Sequence, residues 1–241
     1  TVLRDSSILV GGSFSQFGVA VENNLARLNG DGVPAAPSAP TNVAATATSS
    51  GSIAISWSDV SGESSYKIER SLDGVSGWVQ VAEVPWDFTG YTDTGLATGT
   101  SYSYRVRASN NAGDSAYTTN ASVPTYTGYQ QWKVNNGYSV TEPDTSDADG
   151  DGIPLILEYA LGTNPNVADQ NALPVGQALN GVMALSYRRY RSDVTYTVEA
   201  STDLVNWSGT GVNQGSGPFP IAWISVGGNP AVYLRLKVTA P

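Results

Sequence analysis

The chain repeats part of its own pattern at a distance of 130 residues. The coinciding positions are Ile53/Met183, Ile55/Leu185, Trp57/Tyr187, Tyr66/Tyr196, Ile68/Val198, Ser71/Ser201, Asp73/Asp203 and Arg105/Arg235, and Trp78 meets Trp207 after a one-residue gap. Most of these positions lie in short runs where apolar and polar residues alternate. Such alternation is typical of antiparallel strands with one buried face. The sequence therefore predicts two similar β units with matching cores.

The composition agrees with an all-β chain of two small sandwiches joined by a connector. Its 241 residues are 40% hydrophobic and only 14% charged, and 26 Gly and 13 Pro supply the many turns that short strands need. No apolar run approaches the roughly 18 residues of a membrane span. Thr1 opens directly into strand-like sequence, which we interpret as a removed leader or as a piece of a longer protein.

Two absent residue types limit the chemistry. The chain has no His and no Cys, which removes the commonest general base, the thiol nucleophile and the usual zinc ligands. The net charge of -9 would repel a phosphate backbone. We therefore expect a protein that is neither an enzyme nor a nucleic-acid binder. The low charge density and the Thr, Ser, Asn and Gly content fit an extracellular location.

Residues 38–125 contain a series of strand patterns. They include Ile53–Trp57, Tyr66–Arg70 and Tyr102–Arg107, with Trp57 expected in the core. Leu96 precedes Tyr102 by six residues, as in a corner where a Tyr hydroxyl bonds to the backbone. The whole segment resembles a fibronectin type III domain, and this resemblance implies a β-sandwich.

The N-terminal residues 1–33 contain two short strand patterns, Ser7–Phe14 and Asn24–Leu28. They resemble one delta-60-type β-propeller repeat, although a single partial blade cannot bury its own faces. Another interpretation is a segment left by a processing boundary. Residues 34–40 form a stiff Pro/Ala linker.

Residues 172–241 are predicted to form a diverged fibronectin-like sandwich. The phrases Tyr196–Trp207 and Leu234–Pro241 resemble C-terminal modules in large surface proteins of Verrucomicrobia-like and Planctomycetes-like bacteria. The strand Ala231–Val238 corresponds to the penultimate strand of such a sandwich. Because no last strand follows it, we expect one open sheet edge.

The connector, residues 126–171, carries the one motif with clear chemistry. Asp147, Asp149, Asp151 and Glu158 occupy positions 1, 3, 5 and 12 of a loop, and Gly152 occupies position 6. This is the spacing of an EF-hand calcium loop, in which the position-7 carbonyl, here that of Ile153, is also a ligand. We expect Pro154 to be the first residue of a helix that ends at Gly162. Earlier in the connector, Tyr129–Trp132 is predicted to form a turn that buries Trp132.

The connector also resembles the acidic repeats of thrombospondin type 3 and dockerin modules, which implies Ca²⁺ as its cofactor. A second loop starting at Asp169 fails because Leu173 occupies its fifth position, and Asp144 is placed as an outer charge. A solvated acidic turn without an ion is the alternative. A glycosidase carboxylate pair is disfavoured, because the acids form one metal-type cluster.

Two hypotheses for the function remain open. The first is a structural or adhesive surface protein in which calcium locks the joint between the sandwiches. It would polymerise head-to-tail by donating the N-terminal strand to the open C-terminal edge. The second is a carbohydrate-binding accessory region of a larger secreted enzyme, with Trp86 or Trp223 stacking on sugars; Trp78 and Trp86 are otherwise expected to pack.

Overall fold

The computed structural model describes residues 8–11, 25–28, 35–170, 172–228 and 231–240. The chain divides into two compact units, Thr1–Tyr126 and Thr127–Pro241. The architecture is all-β, as predicted from the sequence, and the described part of the second unit contains two short helices. Within the described residues, neither helix has the length and apolar character needed to cross a membrane.

The first unit begins with a strand pair. β1 (Ile8–Gly11) pairs antiparallel with β2 (Leu25–Leu28), in a register that sets Ile8 against Leu28. The remaining parts of the predicted strand segments Ser7–Phe14 and Asn24–Leu28 lie outside the described residues. β1 and β2 fall within the two predicted strand segments, and each satisfies one hydrogen-bonding edge of the other.

The rest of the first unit is a two-sheet sandwich. Its strands are β3 (Thr41–Ser49), β4 (Ser52–Ser58), β5 (Ser65–Ser71), β6 (Val79–Pro85), β7 (Gly90–Thr94), β8 (Ser101–Asn110), β9 (Gly113–Asp114) and β10 (Ala121–Pro124). One sheet has the order β3-β4-β7 and the other β10-β8-β5-β6, with β9 on β8. Alternate residues of both sheets enclose a core in which Ile53, Tyr66 and Tyr104 are fully buried.

Two predicted details of the first sandwich are confirmed. Trp57 is 5% exposed and packs on Tyr66 with ring centroids 5.5 Å apart. The Tyr102 hydroxyl accepts a hydrogen bond from the Ala97 backbone N–H at 3.1 Å, next to Leu96. This is the corner that the spacing predicted.

The second unit starts with the helices α1 (Gly128–Asn135) and α2 (Leu155–Leu161). They are followed by β11 (Val175–Leu179), β12 (Val182–Ser186), β13 (Thr195–Ser201), β14 (Ile221–Ser225) and β15 (Tyr233–Thr239). The sheets are β11-β12-β14 and β13-β15. Leu185, Tyr187, Val198 and Ala222 form the buried core.

The internal repeat extends from core residues to polar pairs. Arg105 donates two hydrogen bonds to Glu69 Oε2, and Arg235 does the same to Glu199 Oε2. Ser71 and Ser201 each donate to the aspartate two residues later, Asp73 and Asp203. The two sandwiches therefore share their packing scheme, as the offset predicted.

The second sandwich is the smaller one. Within the described part of the chain, β15 pairs with β13 alone, whereas its counterpart β8 also pairs with β10. One edge of β15 is thus without a strand neighbour among those residues, in line with the expected open edge.

Candidate metal centre

The acidic loop lies between α1 and α2. Asp147 receives two backbone hydrogen bonds at 2.9 Å, from Gly150 N–H to Oδ1 and from Gly152 N–H to Oδ2. Gly152 has φ +87°, a left-handed conformation that a side chain would strain. These turns direct the side chains of Asp147, Asp149 and Asp151 toward one another. One carboxylate oxygen from each of Asp147, Asp149 and Asp151 lies within 4.8 Å of the others.

Asp151 is fixed on both sides of the loop. Its Oδ1 accepts the Ile153 N–H at 2.8 Å and its Oδ2 accepts the Asp169 N–H at 2.9 Å. The Gln170 side chain also donates to the Asp151 carbonyl at 2.6 Å. Asp169 therefore braces the first loop, a role that no sequence pattern indicated.

A side-chain oxygen of Asp149 gives the strongest indication that a cation could bind here. Within the part of the chain that the structure describes, its Oδ1 accepts only a long hydrogen bond of 3.3 Å from the Asp151 N–H, and its Oδ2 is buried without a hydrogen-bond partner. A buried carboxylate oxygen without a donor is destabilising unless a cation compensates it. Within the described residues, no Lys or Arg forms an ion pair with Asp147, Asp149, Asp151 or Glu158.

Glu158 lies in the first turn of α2 and is only 1% exposed. Among the described residues, its side chain accepts one hydrogen bond, from the Thr163 hydroxyl at 3.4 Å. Burial, followed by the charges of Asp149 and Asp151, raises the pKa of Glu158 to about 7. Glu158 lies outside the 4.8 Å group of the three aspartates. Its carboxylate nevertheless faces their combined charge.

Two predictions about the segments that flank the loop are wrong. Pro154 is the residue before the first helical one, with extended ψ 152°, and α2 begins at Leu155. In α1, Tyr129 is 4% exposed and is the buried anchor, whereas Trp132 is half-buried. Tyr129 lies deeper because its ring packs between Lys133 and Tyr159.

Asp144 does not join the cluster as a free charge. It accepts a hydrogen bond of 2.9 Å from the buried ammonium group of Lys133, which also donates to the Glu142 carbonyl. Asp144 thus offsets a buried cation. The predicted role as an outer charge of the metal loop is not supported by these contacts.

The helix that carries Glu158 is attached to the second sandwich. The Tyr196 hydroxyl donates to the Ala160 carbonyl at 2.6 Å, and the Tyr190 N–H donates to the same carbonyl at 3.2 Å. The Tyr159 hydroxyl donates to Asp193 Oδ2 at 2.5 Å. The position of Glu158 is therefore coupled to the second sandwich through α2.

The two predicted stacking residues are both accessible. Trp86 and Trp223 are each 43% exposed. Trp223 lies on β14 beside an open cavity of about 370 Å³ that is also lined by Gln177, Asn180 and Ile221. Trp78 is covered by Arg105, whose guanidinium lies 4.2 Å from its ring centroid, so Trp78 packs as expected.

Comparisons with known proteins concern the first sandwich. The family model of the fibronectin type III domain matches residues 38–124. A poly(3-hydroxybutyrate) depolymerase of Ralstonia pickettii is 43% identical over 88 residues, which are 36% of this chain and 16% of the depolymerase. Chitinase A1 of Niallia circulans is 35% identical over 116 residues, 43% of this chain and 15% of the chitinase. The chain thus spans about a sixth of the length of these relatives.

Among solved structures, a Fn3-like protein from Clostridium thermocellum is 34% identical, with a TM-score of 0.35; the match covers 38% of this chain and 95% of that one. The family match covers the same residues as the eight-strand sandwich β3–β10. Residues 38–124 therefore form a fibronectin type III domain, a type of domain that is typically non-catalytic.

Proposed function

We propose that this chain is a non-catalytic, extracellular structural region whose second unit is stabilised by Ca²⁺. The ion would bind the carboxylates of Asp147, Asp149, Asp151 and Glu158 and the Ile153 carbonyl. The observation that carries the proposal is the buried Asp149 Oδ2, which has no hydrogen-bond partner within an acidic cluster.

The donor set favours Ca²⁺ over other metals. All the candidate ligands are hard oxygens, and the chain has no His or Cys to select zinc or copper. Calcium accepts six to eight oxygens in a flexible geometry, which suits aspartates already held by backbone hydrogen bonds. The four carboxylates would repel one another without a cation, so binding relieves a cost that the folded unit otherwise carries.

Calcium would act on the second sandwich through α2. Glu158 lies one to two residues from Tyr159 and Ala160, which are bonded to Asp193 and Tyr196 of the sandwich. Holding Glu158 at the loop therefore holds α2 against the sandwich. The joint between the two sandwiches, predicted from the sequence as the place where calcium acts, remains a prediction.

The proposal is tested by calcium titration of the full chain, followed by calorimetry. We expect one tight site in the wild type and its loss in Asp149→Asn, which keeps the side-chain shape. Glu83→Gln is the matched control, because it removes one exposed charge outside the loop. Equal calcium affinity in wild type and Asp149→Asn would contradict the proposal.

A second candidate function is an accessory region of a larger polymer-degrading enzyme. It is favoured by relatives that are named as a depolymerase and a chitinase, and by the exposed Trp223 beside its cavity. Under this proposal the chain would cosediment with chitin or poly(3-hydroxybutyrate) granules. Trp223→Ala or Trp86→Ala would lower the bound fraction, and Trp207→Ala, at a half-buried tryptophan, is the control.

The first proposal also includes head-to-tail polymerisation by strand donation. The free edge of β15 would accept the β1–β2 pair of another copy by β-augmentation. Donor and acceptor surfaces differ, so the contact would propagate into a filament or ring. Deleting residues 1–33 should leave a monomer with a less stable second unit. An unchanged size distribution after the deletion would rule out donation.

A further inference from the structure

A second acidic cluster lies in the fibronectin type III domain, outside every motif that the sequence analysis singled out. One carboxylate oxygen from each of Asp59, Glu63 and Asp87 lies within 4.8 Å of the other two. Asp59 and Glu63 belong to the loop between β4 and β5, and Asp87 belongs to the loop between β6 and β7.

The two loops are held together by the backbone. Trp86 N–H donates to the Ser64 carbonyl at 3.1 Å, so the neighbours Asp87 and Glu63 are brought side by side. Ser64 N–H in turn donates to the Ser109 carbonyl at 2.7 Å. The cluster is therefore built on fixed positions of the sandwich.

Asp59 is oriented by a buried tyrosine. The Tyr66 hydroxyl donates to Asp59 Oδ1 at 2.6 Å and accepts the Val60 N–H at 2.9 Å. Tyr66 is fully buried and packs on Trp57. Only one oxygen of Asp59 is used in this way, which leaves the other for a ligand.

Glu63 is the unusual member of the cluster. It is only 3% exposed, yet no hydrogen bond or ion pair of its carboxylate occurs within the described residues. Acidic side chains are almost never this buried unless they are paired or bind a metal. One carboxylate oxygen of Glu63 belongs to the group formed with Asp59 and Asp87, so a cation bound there would neutralise this buried acid.

We propose that Asp59, Glu63 and Asp87 bind a hard divalent cation, Ca²⁺ in an extracellular setting. Three carboxylates from two loops leave the remaining coordination positions to water. With fewer protein ligands than the loop at 147–158, this site should be the weaker one, with a dissociation constant on the order of 10⁻⁴ to 10⁻³ M. Occupancy would tie the loop after β4 to the loop after β6.

The experiment is a calcium titration of the full chain followed by two-dimensional amide NMR. The Asp149→Asn background removes the tighter loop, so the remaining response reports the first unit. We expect saturable shifts of the Ser64 and Trp86 amide signals at millimolar calcium. Introducing Glu63→Gln should abolish these shifts, while Glu83→Gln, at an exposed glutamate on β6, should leave them unchanged.

Asp87→Asn provides a second variant at an exposed position, in case loss of the buried glutamate charge prevents folding. It should weaken the calcium response at Ser64 at least tenfold. The proposal is overturned if calcium causes no shift at Ser64 and Trp86, or if both variants respond as the parent does. These outcomes are independent of calcium binding at Asp147–Glu158, which the Asp149→Asn comparison measures separately.

Discussion

Glu158 is a buried acid whose ionisation depends on what surrounds it. Its folded-state pKa of about 7 lies above the ordinary glutamate value of 4.5, so without calcium the folded state holds its proton more tightly than the unfolded state does. Stability then falls as the pH rises from about 4.5 to about 7, because ionisation is easier in the unfolded chain. Calcium bound as proposed would stabilise the ionised form and oppose this fall in stability.

We therefore expect the pH dependence of the second unit to change with calcium. In EGTA, the free energy of unfolding should decrease by about 1–3 kcal/mol between pH 5 and pH 7.5. In calcium this decrease should disappear, and Glu158→Gln in EGTA should also remove it. Urea unfolding followed by tyrosine and tryptophan fluorescence measures the difference. A pH-independent stability in EGTA would contradict the prediction.

The two repeated arginines differ in their surroundings. The Arg105 guanidinium lies between the rings of Trp78 and Tyr117, at 4.2 and 3.7 Å from their centroids, and its side chain is 24% exposed. Among the described aromatic rings, Arg235 covers that of Trp207 alone, at 4.4 Å from its centroid, and the Arg235 side chain is 47% exposed. Desolvation strengthens both ion-pair and cation–π contacts, so the first arginine contributes more.

Substituting each arginine tests this difference. Arg105→Met should destabilise the first unit by about 2–3 kcal/mol, and Arg235→Met should destabilise the second by about 1 kcal/mol or less. Glu69→Gln and Glu199→Gln are matched partners for double-mutant cycles. Equal losses at the two sites would mean that the aromatic rings add nothing to the ion pairs.

At the scale of single elements, α2 depends on the residue that ends it. Gly162 has φ +80°, and a Cβ at this position would lie 2.6 Å from the Tyr190 ring. Its N–H donates to the Glu158 carbonyl at 2.8 Å, which closes the helix behind the candidate ligand. The turn at Gly162 therefore ends the helix and also holds the helical turn that carries the candidate ligand Glu158.

Gly162→Ala should lower the stability of the second unit and weaken calcium binding. Gly211→Ala is the matched control, because Gly211 has the same φ of +80° and no heavy atom within 4 Å of the place that a Cβ would occupy. Both variants bear the backbone strain of about 1 kcal/mol. Only Gly162→Ala adds the collision with Tyr190, so a larger loss is expected there. Equal losses of stability in the two variants would show that the Tyr190 ring moves away from the added Cβ without cost.

Elements were predictable from the sequence where local pattern decides the structure. Alternation and the 130-residue offset indicated both sandwiches, and the loop spacing indicated the three clustered aspartates. Contacts between distant segments were not predictable. The preference for Tyr129 over Trp132 depends on Tyr159, and the Asp59–Glu63–Asp87 cluster depends on a backbone bond between two loops.

For the whole molecule, the two units should respond differently to calcium removal. In the residues that the structure describes, the second sandwich has one sheet of three strands and one of two, around a small core. It therefore buries less apolar area to offset the repulsion between the carboxylates of its acidic loop. EGTA should lower the melting temperature of this unit more than that of the first. Limited proteolysis should then cut within residues 140–170. Asp149→Ala should be cleaved there even in calcium; identical cleavage with and without calcium in the wild type would contradict this.

The shared ion-pair scheme also has a consequence for refolding. Glu69 and Glu199 each face an arginine on a neighbouring strand, and the strands β5 and β13 have equivalent registers against β8 and β15. A strand of one repeat could therefore pair with its counterpart in the other, with Glu69 meeting Arg235. Tandem repeats with interchangeable pairs are prone to this kind of misassembly. Refolding yield should consequently rise when each unit is produced separately, and calcium present during refolding should favour the correct partner for β13.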